Sequence, residues 1–236
     1  MYRFSLELAG TVAEIHALYE SSQDLCKDYI TDKPAEFCIV ITDEDIEKER
    51  LFASIEEPSV NSLEFMALYR KLCTELAQKD TVLIHGSCVS VDGEAYLFCA
   101  PSGTGKSTHT RLWRQYLGER AVMINDDKPL VRLFDDCIRI YGTPWNGKHR
   151  LGSNISAPLK SICFLNRGSI NTIREMDSKD SIPMLLKYTF KPESPTGMLN
   201  VLNSVTRIPS FCNFWSLECN MCEGAAKVSY TAMSGN

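Results

Sequence analysis

The stretch Ala100-Pro101-Ser102-Gly103-Thr104-Gly105-Lys106-Ser107-Thr108 gathers glycines, a lysine and hydroxyl side chains into one short loop, a combination suited to holding an anion. Gly103 and Gly105 let backbone amides approach bound oxygens with no side chain in the way. A helix starting where the loop ends adds first-turn amides that no helical carbonyl satisfies, so phosphate is the natural occupant. Lys106 reaches terminal phosphates as a point charge, and the Ser107 hydroxyl suits the octahedral oxygen shell of Mg²⁺. The pattern G-x-x-x-x-G-K-[ST] is met except at its first position, where Ala100 adds one methyl. Ser102, Gly103, Thr104, Gly105, Lys106, Ser107 and Thr108 are the candidate nucleotide-binding residues. The competing reading is a structural turn that caps a helix.

A second constellation follows the apolar run Ala121–Ile124, where Asn125-Asp126-Asp127 sets two carboxylates at a strand end. Ligand-binding groups of α/β sheets gather at such ends. Either aspartate can hold a metal, and the other can accept the proton of an attacking hydroxyl in phosphoryl transfer. Adjacent ionised carboxylates repel unless a cation lies beside them, which makes Mg²⁺ the expected third member. The bland reading is an exposed turn before Pro129. His85, in Ile84-His85-Gly86-Ser87, is the third candidate; by itself it reads equally as a turn or core histidine.

Strands and helices must hold these groups. Val82-Leu83-Ile84, Ala95–Cys99 and Ala121–Ile124 are short buried runs of strand type, and His109–Leu117 between the last two is helical, closed by Gly118. Helix between apolar strands predicts an α/β layer architecture. Upstream, Tyr2, Phe4, Leu6 and Leu8 alternate with polar residues as in a half-buried strand, and Phe37–Ile41 predicts another. Thr42–Glu47 is acidic and reads as a solvated loop or helix start. Asn61-Ser62 is the predicted cap of a helix carrying Leu63, Met66, Leu68, Tyr69, Leu72, Cys73 and Leu76, ended by Lys79-Asp80. A seam is expected at 60–80, dividing a small N-terminal α+β unit (1–75) from a nucleotide-binding catalytic unit (76–236).

Composition removes other classes. The 236 residues are 44% apolar and 23% charged, values of a folded globular protein. With 25 basic and 30 acidic residues the net charge is −5, which gives no electrostatic case for nucleic acid or an anionic membrane. The opening residues lack an apolar stretch of signal-peptide length, and no run approaches the roughly 18 residues of a membrane span, so a cytoplasmic protein is expected. The ten cysteines are scattered and read mostly as reduced core residues. Cys219-x-x-Cys222, with Cys212 upstream, lacks a fourth ligand for structural zinc. Arg167 and Arg174 are open to phosphate or partner contact but read first as solvated surface, Phe211, Phe214 and Trp215 read as core, and Ala225–Met233 as a helix.

Taken together, His85-Gly86-Ser87, Ala100–Ser107 and Asn125-Asp126-Asp127 resemble the catalytic core of the HPr kinase/phosphorylase family, whose fold is shared with ATP-dependent phosphoenolpyruvate carboxykinase. That family has a histidine-glycine strand end, a Gly-Glu-Ser-Gly-x-Gly-Lys-Ser loop and an Asp-Asp pair. The three blocks cover roughly residues 81 to 132. Beyond them, Tyr141–Lys148 and Pro158–Leu165 are similar to small HPr-kinase-like proteins named as carboxykinases or serine kinases. The fold class implied is α/β, a phosphoenolpyruvate carboxykinase-like P-loop kinase core with a smaller N-terminal β-containing subdomain.

The resemblance also implies roles. Lys106 and Ser107 would bind nucleotide phosphate and metal, one aspartate would activate the acceptor hydroxyl, and His85 would support it. The favoured assignment makes Asp127 the base and Asp126 a metal ligand with Ser107; the reverse stays open. Lys148 and Arg150 are candidate contacts to the acceptor or the γ-phosphate, or an ordinary basic loop. ATP and Mg²⁺ are the implied cofactors, and the implied partners are a nucleotide and a protein, peptide or small hydroxyl-bearing acceptor, with self-association into homo-oligomers as in HPr kinases. The chain is far shorter than a carboxykinase, and its first 75 residues do not match the kinase's usual N-terminal region. A nucleotide-sensing regulator and a carboxykinase-like metabolic enzyme are the rival expectations.

Overall fold

Phe4, Leu6 and Leu8 are buried while Ser5 and Glu7 between them are half-buried, the two-sided pattern that period-two alternation predicts. In the computed structural model, which describes residues 1–53 and 57–235, these residues form β1 (Tyr2–Leu8). Residues 54–56, within the expected unit 1–75, and residue 236, the end of the expected unit 76–236, lie outside the described residues. β1 turns back into β2 (Thr11–Ala17), α1 (Glu20–Cys26) follows, and β3 (Phe37–Val40) pairs in parallel with β2, giving a sheet of order β1-β2-β3. The acidic run is a helix start, because Thr42 and Asp45 cap α2 (Asp43–Phe52) reciprocally. The cap of α3 (Val60–Leu76) is Ser59, ahead of the expected Asn61-Ser62: its Oγ accepts from Ser62 N at 3.2 Å. Leu63, Leu68, Leu72 and Leu76 of α3 share one buried cluster with the small sheet and with Leu83, Leu130 and Trp145.

The rest of the chain forms β4 (Thr81–Leu83), β5 (Ser87–Val91), β6 (Glu94–Cys99), α4 (Lys106–Leu117), β7 (Ala121–Asn125), β8 (Leu130–Leu133) and β9 (Ile138–Tyr141). β10 (Ser156–Arg167), β11 (Thr172–Met176), α5 (Ser178–Tyr188), α6 (Pro195–Arg207), β12 (Asn213–Cys219) and α7 (Glu223–Ser234) follow. Nine strands make one mixed sheet of order β4-β8-β9-β10-β6-β5-β7, with β12 also beside β10 and β11 on β12. β10 is parallel to β6 and to β12. Its side chains alternate between two cores: Ile162 and Phe164 pack with Leu185 of α5 and Val201 and Val205 of α6, whereas Cys163 and Leu165 pack with Trp113 of α4 and Ala226 of α7. The result is a helix–sheet–helix layering, the mixed α/β architecture that the strand and helix runs predict. Phe214 is buried, and Phe211 and Trp215 pack against the two cores. Among the described residues no helix is long and apolar enough to cross a membrane.

One feature of this topology positions the chemistry. β5 runs antiparallel to both β6 and β7, with Ser87 opposite Phe98 and Cys88 opposite Asn125. The start of β5 and the ends of β6 and β7 therefore share one edge of the sheet. His85-Gly86, the glycine-rich loop and the aspartate pair all leave the sheet there.

Candidate active site

At the end of β6 the chain turns through residues 100–105 into α4, with Gly103 at φ 76° and Gly105 at φ 122°. A Cβ at either glycine would meet nothing within 4 Å, so backbone conformation and not crowding calls for glycine here. Thr104 N donates to Pro101 O and His109 N to Gly105 O, but the amides of Gly103, Gly105, Lys106, Ser107 and Thr108 have no partner among the described residues. This is the donor array expected of an anion cradle. Lys106 is buried, and its Nζ donates to the Ala100 carbonyl at 2.8 Å. Burial lowers its pKa, while Cys99 and Asp127 oppose that shift. Arg167, at the end of β10, donates from Nη2 to Gly103 O at 2.6 Å. Ser102 and Ser107 are exposed; Thr104 and Thr108 line a cavity of about 320 Å³ together with Leu112, Arg167 and Met221.

α4 is held from behind. Thr110 Oγ1 lies 3.0 Å from Ser87 Oγ of β5. The Ser229 hydroxyl of α7 accepts from Trp113 Nε1 at 2.8 Å and lies 3.0 Å from His109 Nε2. Burial pulls the His109 pKa down to about 4, so this imidazole is neutral at neutral pH.

The aspartate pair is presented by Asn125. Its buried Oδ1 accepts from Asp127 N at 2.8 Å and Lys128 N at 2.6 Å, and its Nδ2 donates to Thr143 O, so one side chain folds the turn and ties it to the next loop. The two carboxylates then diverge. Asp126 is buried and accepts from Gly147 N at 2.6 Å. Asp127 Oδ1 lies 3.1 Å from His85 Nδ1, and its Oδ2 lies 2.5 Å from Lys128 Nζ. A carboxylate only accepts, so Nδ1 of His85 carries the proton. Burial pushes the Asp127 pKa up, but the His85 bond and the Lys128 ammonium outweigh it and hold the group at about 2. Mutual repulsion of the pair is thus relieved by protein partners.

Lys128→Met is expected to raise the Asp127 pKa. In the wild type the stabilising pairing is complete above the ordinary carboxylate pKa and is lost as pH falls through about 2; without Lys128 that loss begins at higher pH. A carboxyl NMR titration measures it, and an unmoved midpoint would remove Lys128 from the account.

His85 is aimed by backbone packing. Its N donates to Tyr188 O at 2.7 Å, and Gly86 N donates to Asp127 O at 2.9 Å. A Cβ on Gly86 would lie 2.6 Å from Leu97 Cδ1 and 2.9 Å from Phe98 O, and a strand carbonyl cannot swing aside. Gly86→Ala is therefore expected to cost about 1–3 kcal/mol in urea unfolding. Wild-type stability in that variant would show that β5 and β6 have slack.

No family model and no curated protein matches this chain. Among solved structures, the Hpr(Ser) kinase/phosphatase from Coxiella burnetii superposes with a TM-score of 0.35 and 9% sequence identity, over 65% of this chain and 99% of that one. It is a weak, fold-level likeness.

Of the residues singled out in the sequence, Lys106, Asp127 and His85 converge, while Asp126 turns toward the 144–150 loop, where Lys148 and Arg150 are exposed. Two cations at the site are not among the residues the sequence favours: Lys128 is not singled out there, and Arg167 reads first as surface. Lys128 adjoins the pair and its Nζ also lies 5.7 Å from the Tyr69 ring centre; its position next to Asp127 was the available signal. Arg167, expected on open surface, reaches the loop because β10 runs parallel beside β6, a pairing no local pattern encodes.

Proposed function

We propose that this protein is an ATP-dependent kinase that transfers phosphate to a hydroxyl, that of a serine in a protein or peptide. The observation that carries the reading is the meeting, at one sheet edge, of unpaired loop amides, a buried lysine and a carboxylate aimed by a histidine. The amides of residues 103 and 105–108 and the Lys106 ammonium bind and orient a polyphosphate; on binding, Lys106 exchanges the Ala100 carbonyl for a phosphate oxygen. Asp127 takes the acceptor's hydroxyl hydrogen bond and, late in a loose transition state, its proton. His85 fixes the carboxylate's direction. The exposed Ser107 hydroxyl and the carboxylate of Asp126, steadied by Gly147 N, are the hard oxygen donors that suit Mg²⁺. When bound, that ion neutralises phosphate charge.

A second reading has its own observation. A carboxylate with a pKa of about 2 is a poor proton acceptor, which suits a nucleotide-binding regulator that turns nothing over. Incubation of the purified protein with γ-labelled ATP, Mg²⁺ and a serine-containing protein extract separates the two. Label on a serine hydroxyl supports the kinase. Stoichiometric nucleotide binding with no labelled product overturns it in favour of the regulator.

A further inference from the structure

The small N-terminal sheet has one face in the core and one toward solvent. Ala13, Ile15 and Ala17 of β2 and Ile39 of β3 point inward and are buried. Glu14 and His16, two residues apart on β2, therefore share the outer face. The parallel register sets Cys38 of β3 directly opposite Glu14. A carboxylate oxygen, an imidazole nitrogen and a thiol sulfur thus lie within 4.8 Å of one another, with His16 Nε2 2.6 Å from Glu14 Oε1.

We propose that Glu14, His16 and Cys38 form a binding site for a borderline divalent transition-metal ion, Zn²⁺ by the chemistry of its donors. Zinc takes Cys, His and carboxylate ligands at about 2.0–2.3 Å in a tetrahedron, which sets donor atoms roughly 3.3–3.8 Å apart, within reach of small side-chain rotations here. A thiolate and an imidazole select against Mg²⁺ and Ca²⁺, so this site is chemically distinct from the oxygen donors at the glycine-rich loop. Its surroundings are graded: the His16 side chain is 16% exposed and Glu14 44%, and Cys38 is exposed and in no disulfide. An ion can therefore enter from solvent without disturbing the core. Three protein ligands leave a fourth position for water or an outside donor. Binding gives up the Glu14–His16 hydrogen bond and releases the thiol proton to solvent. It also staples β3, the edge strand, to the centre of its sheet.

The test uses the full chain, reduced and without nucleotide, titrated with Co²⁺ as a spectroscopic probe and with Zn²⁺ against a chelating dye. One ion per chain is expected, with a sulfur-to-cobalt charge-transfer band and a rise in melting temperature on adding Zn²⁺. Cys38→Ser should abolish the band, and His16→Ala should weaken binding at least about tenfold. Cys137→Ser and Cys222→Ser, at the other exposed thiols, should change neither reading. Circular dichroism confirms that each variant is folded, which its exposed or half-exposed position favours. No uptake by the wild type, or equal uptake by the folded Cys38→Ser and His16→Ala variants, overturns the proposal.

Discussion

Asp127→Asn is expected to cut phosphoryl transfer by about 10²- to 10⁴-fold, the usual contribution of a positioned acid–base group, while nucleotide affinity stays unchanged or tightens. The amide keeps the volume and an oxygen for His85 Nδ1–H, but it removes the anion that, on the proposed kinase reading, receives the acceptor's proton. Removing that charge also removes repulsion toward the incoming phosphates, which is why binding should not suffer. The low pKa of Asp127 does not defeat the role. Lys128 and Lys106 both lie near it, and a bound polyphosphate draws their charge away, so the carboxylate becomes a better acceptor when the nucleotide is in place. Single-turnover transfer and nucleotide titration, run on the same preparation, check both halves. A transfer rate equal to wild type would sink the assignment.

Lys106→Met should do the opposite, weakening nucleotide binding by about 10- to 100-fold, the worth of a lost charge-assisted hydrogen bond, and taking transfer down with it. The methionine keeps the apolar stem, so packing near Cys99 and Ala100 is retained. The fold should tolerate the change. The ammonium is buried against a single carbonyl, its pKa is depressed by that burial, and losing it removes a desolvated charge. Calorimetric titration with nucleotide, alongside thermal unfolding, distinguishes this from a general loss of structure. Undiminished affinity would mean that the loop amides do not hold phosphate beside Lys106.

Much of the frame was readable because its signals are local. The strand–loop–helix order around residues 95–117 rests on an apolar run, glycines and helical spacing, and β1 rests on strict alternation. β5 could have been read too: Asp92-Gly93, with φ of 51° and 87°, is a two-residue hairpin turn leading from β5 back into β6. Other features depend on partners far away in sequence. Nothing near Arg167 announces Gly103, and nothing near Glu14 and His16 announces Cys38, since both meetings depend on which strands become neighbours. The split between Asp126 and Asp127 was half legible: Lys128, which pairs with Asp127, is its neighbour in sequence, whereas Gly147 N, which takes Asp126, comes from a separate loop.

The bond from Trp113 to Ser229 and the contact of His109 with the same hydroxyl tie the helix behind the glycine-rich loop to α7, more than a hundred residues downstream. During synthesis, α4 emerges long before its anchor exists. The packing behind the glycine-rich loop is therefore completed only once residues 223–234 have left the ribosome and docked, so the last turns of the chain to be made finish a support that begins at residue 106.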